Sequence, residues 1–159
     1  MTIKAGKKLP QGSFKTMTAE GVIDISVDEV FKGKRVALFA VPAVFTPGCS
    51  QIHLPSYLNA YDDIIEKGFD TIACIAVHDA WVMDAWAKAT NAADKILMLA
   101  DGSANYVRSI GLELDLNAYD MGIRSKRFSM VVVDGRVESL NIDERVIDTT
   151  NAAHTCGLK

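Results

Sequence analysis

Three features of this 159-residue chain predict an α/β fold with a central mixed β-sheet flanked by helices and an N-terminal β-strand extension. Arg35 to Val41 and Thr71 to Val77 are near-continuous apolar runs, the pattern of strands covered on both faces. Each is followed by a stretch of helical length, and strand–helix–strand units demand parallel neighbours with right-handed crossovers. Late in the chain, Lys126 to Val133 and Arg136 to Asn141 flank Asp134-Gly135. That pair favours a type I′ turn and adds antiparallel strands.

Taken in order, residues 3–12 carry Gly6, Pro10 and Gly12 and predict an irregular entry. Ser13–Thr18 and Val22–Ser26 alternate, predicting an antiparallel pair around Ala19-Glu20-Gly21. Ser26 and Glu29 have capping-box spacing, so a short helix should run to Lys32 and stop at Gly33. After the first central strand, a helix is expected over about 48–67, kinked at Pro55 and ended by Gly68. Asp79 should cap a helix from Ala80 to about Asn91, with one of Trp81 and Trp86 in the core and the other at a subunit contact. Ile96–Ala100 predicts a third central strand and Ala104–Ile110 a short helix. Residues 112–122 have no clear period and predict a loop, as do 143–148. A terminal helix is expected from Asn151 to about Leu158, and Met83 and Met130 are expected in the core. This order is also the outline of a thioredoxin-like fold, in which sites lie beyond the carboxyl ends of the strands.

The length suits one domain spanning 1–159 with a sizeable core. The formal net charge of −3 and the lack of a basic patch argue against a nucleic-acid partner. No apolar run has membrane-spanning length and no signal-peptide pattern opens the chain, so the expectation is a cytoplasmic protein. Cys49, Cys74 and Cys156 are an odd number with no CxxC. That argues against a disulfide scaffold or a zinc finger and leaves room for a reactive thiol.

The chemistry concentrates at residues 41–50. Cys49 follows the first buried strand and opens a helix, where unpaired amides and the helix dipole favour thiolate over thiol. Thr46 precedes it by three residues, the place of the first Cys in a CxxC, and its hydroxyl is expected to donate to sulfur or hold a substrate oxygen. The amides of Gly48 and Cys49 are candidate donors, and Gly48 lets substrate approach the main chain. Pro42, lacking an N–H, would wall the site. Strand alternation puts Arg127, Ser129 and Val131 on one face, with Arg124 a competing source of charge. His53 shares a helical face with Cys49, but three scattered histidines do not make a metal site. His53 is expected to orient the loop or line the pocket, and His78-Asp79 to cap the following helix.

Pro42-x-x-x-Thr46-x-x-Cys49 resembles the P-x-x-x-T-x-x-C signature of peroxiredoxins. Phe45-Thr46-Pro47-Gly48-Cys49-Ser50, His53-Leu54-Pro55, residues 73–79 and Arg127 to Val132 resemble the peroxiredoxin 5-like, type II class in particular. The likeness runs from about Gly6 to Asn141, departing where Pro42-Ala43-Val44 stands for the usual Pro-Gly-Ala.

The resemblance implies a thioredoxin-like fold and a thiol peroxidase. Hydrogen peroxide or an organic hydroperoxide would be reduced through a Cys49 thiolate and a sulfenic acid, with Pro42, Thr46 and Arg127 catalytic and Gly48 and Phe45 binding substrate. It implies no cofactor, recycling by glutathione/glutaredoxin or by thioredoxin, and a homodimer with Phe45 and Trp81 near the contact. Cys74 stands where plant members often carry a second Cys and is the first candidate resolving residue, against its plain reading as a small buried side chain. Cys156 ranks below it. The alternative function is a redox-sensing thiol module that passes oxidation to a partner. A dithiol reductase is disfavoured by Thr46 in place of a Cys.

Overall fold

The computed structural model describes Met1 to Lys159. The chain runs β1 (Ser13–Thr18), β2 (Gly21–Ser26), α1 (Val27–Phe31), β3 (Arg35–Ala40), α2 (Leu54–Asn59), α3 (Tyr61–Glu66), β4 (Thr71–Ala76) and α4 (Ala80–Ala89). It continues through β5 (Leu97–Ala100), α5 (Asn105–Ser109), β6 (Glu113–Asp115), β7 (Ile123–Ser125), β8 (Arg127–Val133), β9 (Arg136–Asp143) and α6 (Ala152–Cys156). One seven-stranded sheet has the order β2-β1-β5-β4-β3-β8-β9. The β3–β4 and β4–β5 pairs are parallel and the others antiparallel, so the sheet is mixed and matches a thioredoxin-like architecture.

Strand alternation divides the interior into two cores. Ala37, Phe39, Ile72, Cys74 and Val131 point to the face that packs Tyr57, Ile64, Met83 and Trp86. Val36, Leu38, Ile75, Phe128 and Met130 point to the other, against Phe31, Val107 and Ile110. Both faces of β3 and β4 are thus buried, which is why those strands read as continuous apolar runs rather than alternating ones.

Local signals act as their chemistry requires. Ser26 Oγ accepts from Glu29 N–H at 3.1 Å while Glu29 accepts from Ser26 N–H at 2.7 Å, closing the capping box. Asp79 Oδ1 accepts from Val82 N–H and starts α4. Asp134 and Gly135 both have positive φ, 48° and 73°, the geometry of a type I′ turn. Trp86 is fully buried and Trp81 is exposed.

Two expectations fail. The helix over 48–67 is not one kinked rod. Cys49–His53 form a π-turn, with Leu54 N–H reaching Cys49 O, and the chain breaks again at Ala60. Pro55 has no N–H for the Gln51 carbonyl and its ring would clash there, so the turn before it widens instead of kinking after it. Residues 112–122 are not plain loop. They hold β6 and a 3₁₀ turn at Asn117–Tyr119, with β6 pairing β7 in a small second sheet. Three-residue strands are too short to show a period. The expected helix α4 is present and ends at Ala89, where Thr90 Oγ1 bonds back to Trp86 O and Asn91 turns left-handed.

Candidate active site

β3 ends at the carboxyl edge of the sheet, and residues 41–48 pass over that edge into the π-turn. Cys49 is buried on the first turn, between this loop and β8. Arg127, the first residue of β8, reaches across the sheet end. Its Nη2 donates to Cys49 Sγ at 3.3 Å and its Nη1 to His53 Nδ1 at 2.8 Å. Arg124, the other candidate, turns away. Its Nη1 lies 2.7 Å from His78 Nε2 and its Nε donates to Met121 O.

His53 is fully buried. Its Nε2 lies 3.0 Å from the Thr150 carbonyl, so that nitrogen carries the proton and Nδ1 is the acceptor for Arg127. Burial, then the Arg127 charge, pushes its pKa down to about 4, so the ring is neutral at neutral pH. The π-turn brings Cys49 and His53 to one guanidinium although Pro55 follows so closely.

Thr46 is placed beside the site, but its hydroxyl does not donate to sulfur. Oγ1 donates to the Ala43 carbonyl at 2.6 Å, which leaves the oxygen's lone pairs free to accept a hydrogen bond. The amides of Gly48 and Cys49 have no acceptor within the protein. A methyl at Gly48 would meet Arg127 Nη2 at 3.6 Å, so anything longer than alanine there would displace the guanidinium. Phe45 is exposed and takes φ 64°, a left-handed conformation costly for an aromatic residue, at the crest of the loop. Pro42 and Arg127 together border a cleft of about 280 Å³ that also touches Leu114, Lys126, Ile142 and Arg145.

His78 does not cap α4, which is the work of Asp79. Its Nε2 accepts from the Val44 amide at 3.3 Å and so ties the active-site loop to the end of β4. Burial and then Arg124 hold its pKa down to about 4. Ser50 Oγ accepts from the buried Trp86 indole N–H at 2.9 Å and pins the π-turn from the other side.

All three cysteines are free. Cys74 sits in the central strand, fully buried, paired with Phe39 on one side and Met98 on the other. Burial, with Cys49 nearby, raises its pKa well above the ordinary thiol value. Cys156 lies beside Arg35 and Lys67. Its neighbour Thr155 bonds the Tyr57 hydroxyl and Ser129 Oγ, so α6 packs across β8.

Sequence reasoning missed Asp143 and Thr150. Asp143 faces Arg127 across the β8–β9 ladder, and its carboxylate gathers the residues of the following loop. No group of three or more His, Cys, Asp or Glu residues is placed to hold a metal ion, and no helix is long and apolar enough to cross a membrane.

A thioredoxin-like sheet with a helix-mouth thiol, a threonine three residues earlier and an arginine on the sulfur defines a thiol-based redox protein. Comparison with known proteins is specific. The Redoxin family model matches residues 4–154. The chain is 38% identical over 156 residues to Peroxiredoxin-2E, chloroplastic, of Arabidopsis thaliana, covering 96% of this chain and 67% of that protein. It superposes with a TM-score of 0.94 and 41% identity on reduced Prx3 of Vibrio vulnificus in complex with hydrogen peroxide, covering 99% and 100% of the two chains. Peroxiredoxin 5 of Alvinella pompejana matches at TM-score 0.82 and 33% identity, covering 98% and 94%. The chain belongs to the redoxin family, as a peroxiredoxin of the thioredoxin-fold superfamily, and its function is that of a thiol peroxidase.

Proposed function

We propose that Cys49 is the peroxidatic nucleophile and that the substrates are hydrogen peroxide and organic hydroperoxides. The observation that carries this reading is the Arg127 Nη2–Cys49 Sγ contact of 3.3 Å, beside two free amides and an accepting hydroxyl. The thiolate attacks the nearer peroxide oxygen. The S–O bond forms as the O–O bond breaks, sulfur loses two electrons, and the distal oxygen leaves as alkoxide or hydroxide and takes up a proton. Arg127 donates to the sulfur and, with the amides of Gly48 and Cys49, stabilises charge along the stretching O–O bond. Thr46 Oγ1 accepts a hydrogen bond from the peroxide O–H and so orients it. Pro42 and Phe45 form the rim that keeps bulk water back. Cys49 is left as a sulfenic acid.

Recycling falls to an outside thiol, glutathione with glutaredoxin or thioredoxin. The support is the state of the other cysteines: Cys74 lies inside the central strand, where burial raises its thiol pKa well above the ordinary value, and Cys156 is buried in α6, where burial raises its thiol to about 11. Glutathione attacks the sulfenic sulfur and releases water, giving a mixed disulfide; a second thiol then takes the glutathionyl sulfur and frees Cys49. Three free thiols suit a reducing, cytoplasmic compartment, and exposed Phe45 and Trp81 suit a homodimer contact.

Intact mass after one equivalent of peroxide and then glutathione tests this. The expected sequence is a gain of one oxygen, then a glutathione adduct, both absent in Cys49→Ser. A disulfide between Cys49 and Cys74 or Cys156 with no adduct would overturn the external route, and steady turnover by Cys49→Ser would overturn the assignment of the nucleophile.

A further inference from the structure

The loop after β9 is closed by one side chain. The Asp143 carboxylate accepts from the backbone amides of Asp148, Thr149 and Thr150 at 2.9, 3.2 and 2.9 Å, and from the hydroxyls of Thr149 and Thr150 at 2.6 and 2.7 Å. Only an acceptor without protons of its own satisfies five donors at once. Burial pushes the Asp143 carboxyl up, but these hydrogen bonds outweigh it and hold it well below the usual carboxylate range. Asp143 makes no ion pair with Arg127, although the two face each other across the ladder. Its carboxylate is spent on the loop.

The loop delivers the Thr150 carbonyl to the buried side of the site. That oxygen receives two donors, His53 Nε2 at 3.0 Å and the Tyr57 hydroxyl at 2.7 Å. Against a carbonyl, Nε2 must carry the imidazole proton, and Nδ1 is then a lone pair. Against a guanidinium N–H at 2.8 Å, Nδ1 must be a lone pair. Both neighbours demand the same tautomer. If the carbonyl moved away, the Nδ1–H tautomer would become accessible and would set one N–H against another. Because the guanidinium is a rigid fork, Nη2 could not stay on Cys49 Sγ once Nη1 was displaced.

We propose that Asp143 is a positioning residue for Cys49: by closing the 143–150 loop it places the Thr150 carbonyl so that His53 is fixed as its Nε2–H tautomer, which aims Arg127 at the sulfur. The proposal rests on Cys49 being the reacting thiol. The carboxylate bonds neither the sulfur nor the guanidinium, so its placement of the ring runs through backbone and ring hydrogen bonds, with its charge felt at His53 as a smaller influence.

The test reads the His53 tautomer by side-chain ¹⁵N NMR and the reactivity of Cys49 by its alkylation rate with iodoacetamide at pH 7, followed by peptide mass. Wild type should show only the Nε2–H tautomer. Asp143→Asn should show a mixture and slow the alkylation roughly tenfold or more, the scale of a small misplacement at a reacting centre. In a His53→Phe background the same substitution should have no further effect on alkylation. Should Asp143→Asn not fold, Thr149→Val with Thr150→Val removes the two hydroxyl donors, keeps the carboxylate, and should move both readouts less in the same direction. A lower melting temperature with tautomer and alkylation unchanged would overturn the proposal, as would equal slowing in both backgrounds. Iodoacetamide needs no peroxide, so failure of the peroxidase reading would be seen separately.

Discussion

His53 makes a quantitative prediction about acid stability. An imidazole in the unfolded chain titrates near 6.5, whereas burial and Arg127 hold this one to about 4. Between those values the unfolded chain binds a proton that the folded protein does not. Stability therefore rises with pH across the window, is fully present above about 6.5, and is lost as pH falls toward about 4. At about 1.4 kcal/mol per pH unit, the loss reaches about 3 kcal/mol, a large part of a typical domain's stability. His78 adds to the loss in the same direction, but it is partly exposed and contributes less. Asp143 titrates below the window and does not contribute there. The His53 share is isolated by urea unfolding of wild type and His53→Phe at pH 7 and pH 4.5. The variant should be less stable at pH 7, having lost its bonds to Arg127 and Thr150, but should fall less steeply on acidification. A difference between the two proteins that stays constant from pH 7 to 4.5 would refute the argument that His53 is held neutral by its surroundings.

Two further outcomes bear on the chemistry. Arg127→Ala should lower the stopped-flow rate constant for hydrogen peroxide by about 10²–10³, the scale of an oxyanion donor, while Arg124→Ala should change it by less than tenfold; equal losses would show that the sulfur contact is not the decisive one. Thr46→Ser should retain most of the rate because it keeps both the donor to Ala43 and the accepting lone pairs, and Thr46→Val should lose roughly tenfold or more. A Thr46→Val rate equal to that of Thr46→Ser would make the methyl, not the hydroxyl, the useful part of the side chain.

How far the molecule was legible follows from the range of each signal. Ser26 and Glu29, Asp79, and Asp134-Gly135 act over two or three residues, and each does what its residue types require. The apolar runs of β3 and β4 are legible because both faces are buried. The π-turn was not, because Pro55 predicts a disturbance without its form, and a widened turn before the ring relieves the same clash as a kink after it. The 3₁₀ turn and the β6–β7 pair were too short to carry a period. Thr46 was legible as a polar neighbour of Cys49, but the direction of its hydrogen bond depends on where the Ala43 carbonyl points.

The amino-acid order by itself determined the fold class, the helix-mouth position of Cys49 and the local group of Pro42, Thr46 and Gly48, because periodicity, caps and turn preferences all operate within one element. Only the tertiary structure decided that Arg127 rather than Arg124 reaches the sulfur, 78 residues away in sequence, and that His53 stands between Arg127 and Thr150. It also decided that Cys74 is buried in the central strand and that Cys156 is buried in α6 beside Arg35 and Lys67. Those facts turn on sheet order and on the lateral offset of β8 against β3, which arise from burying two cores at once. No stretch of chain short enough to be read locally contains that information.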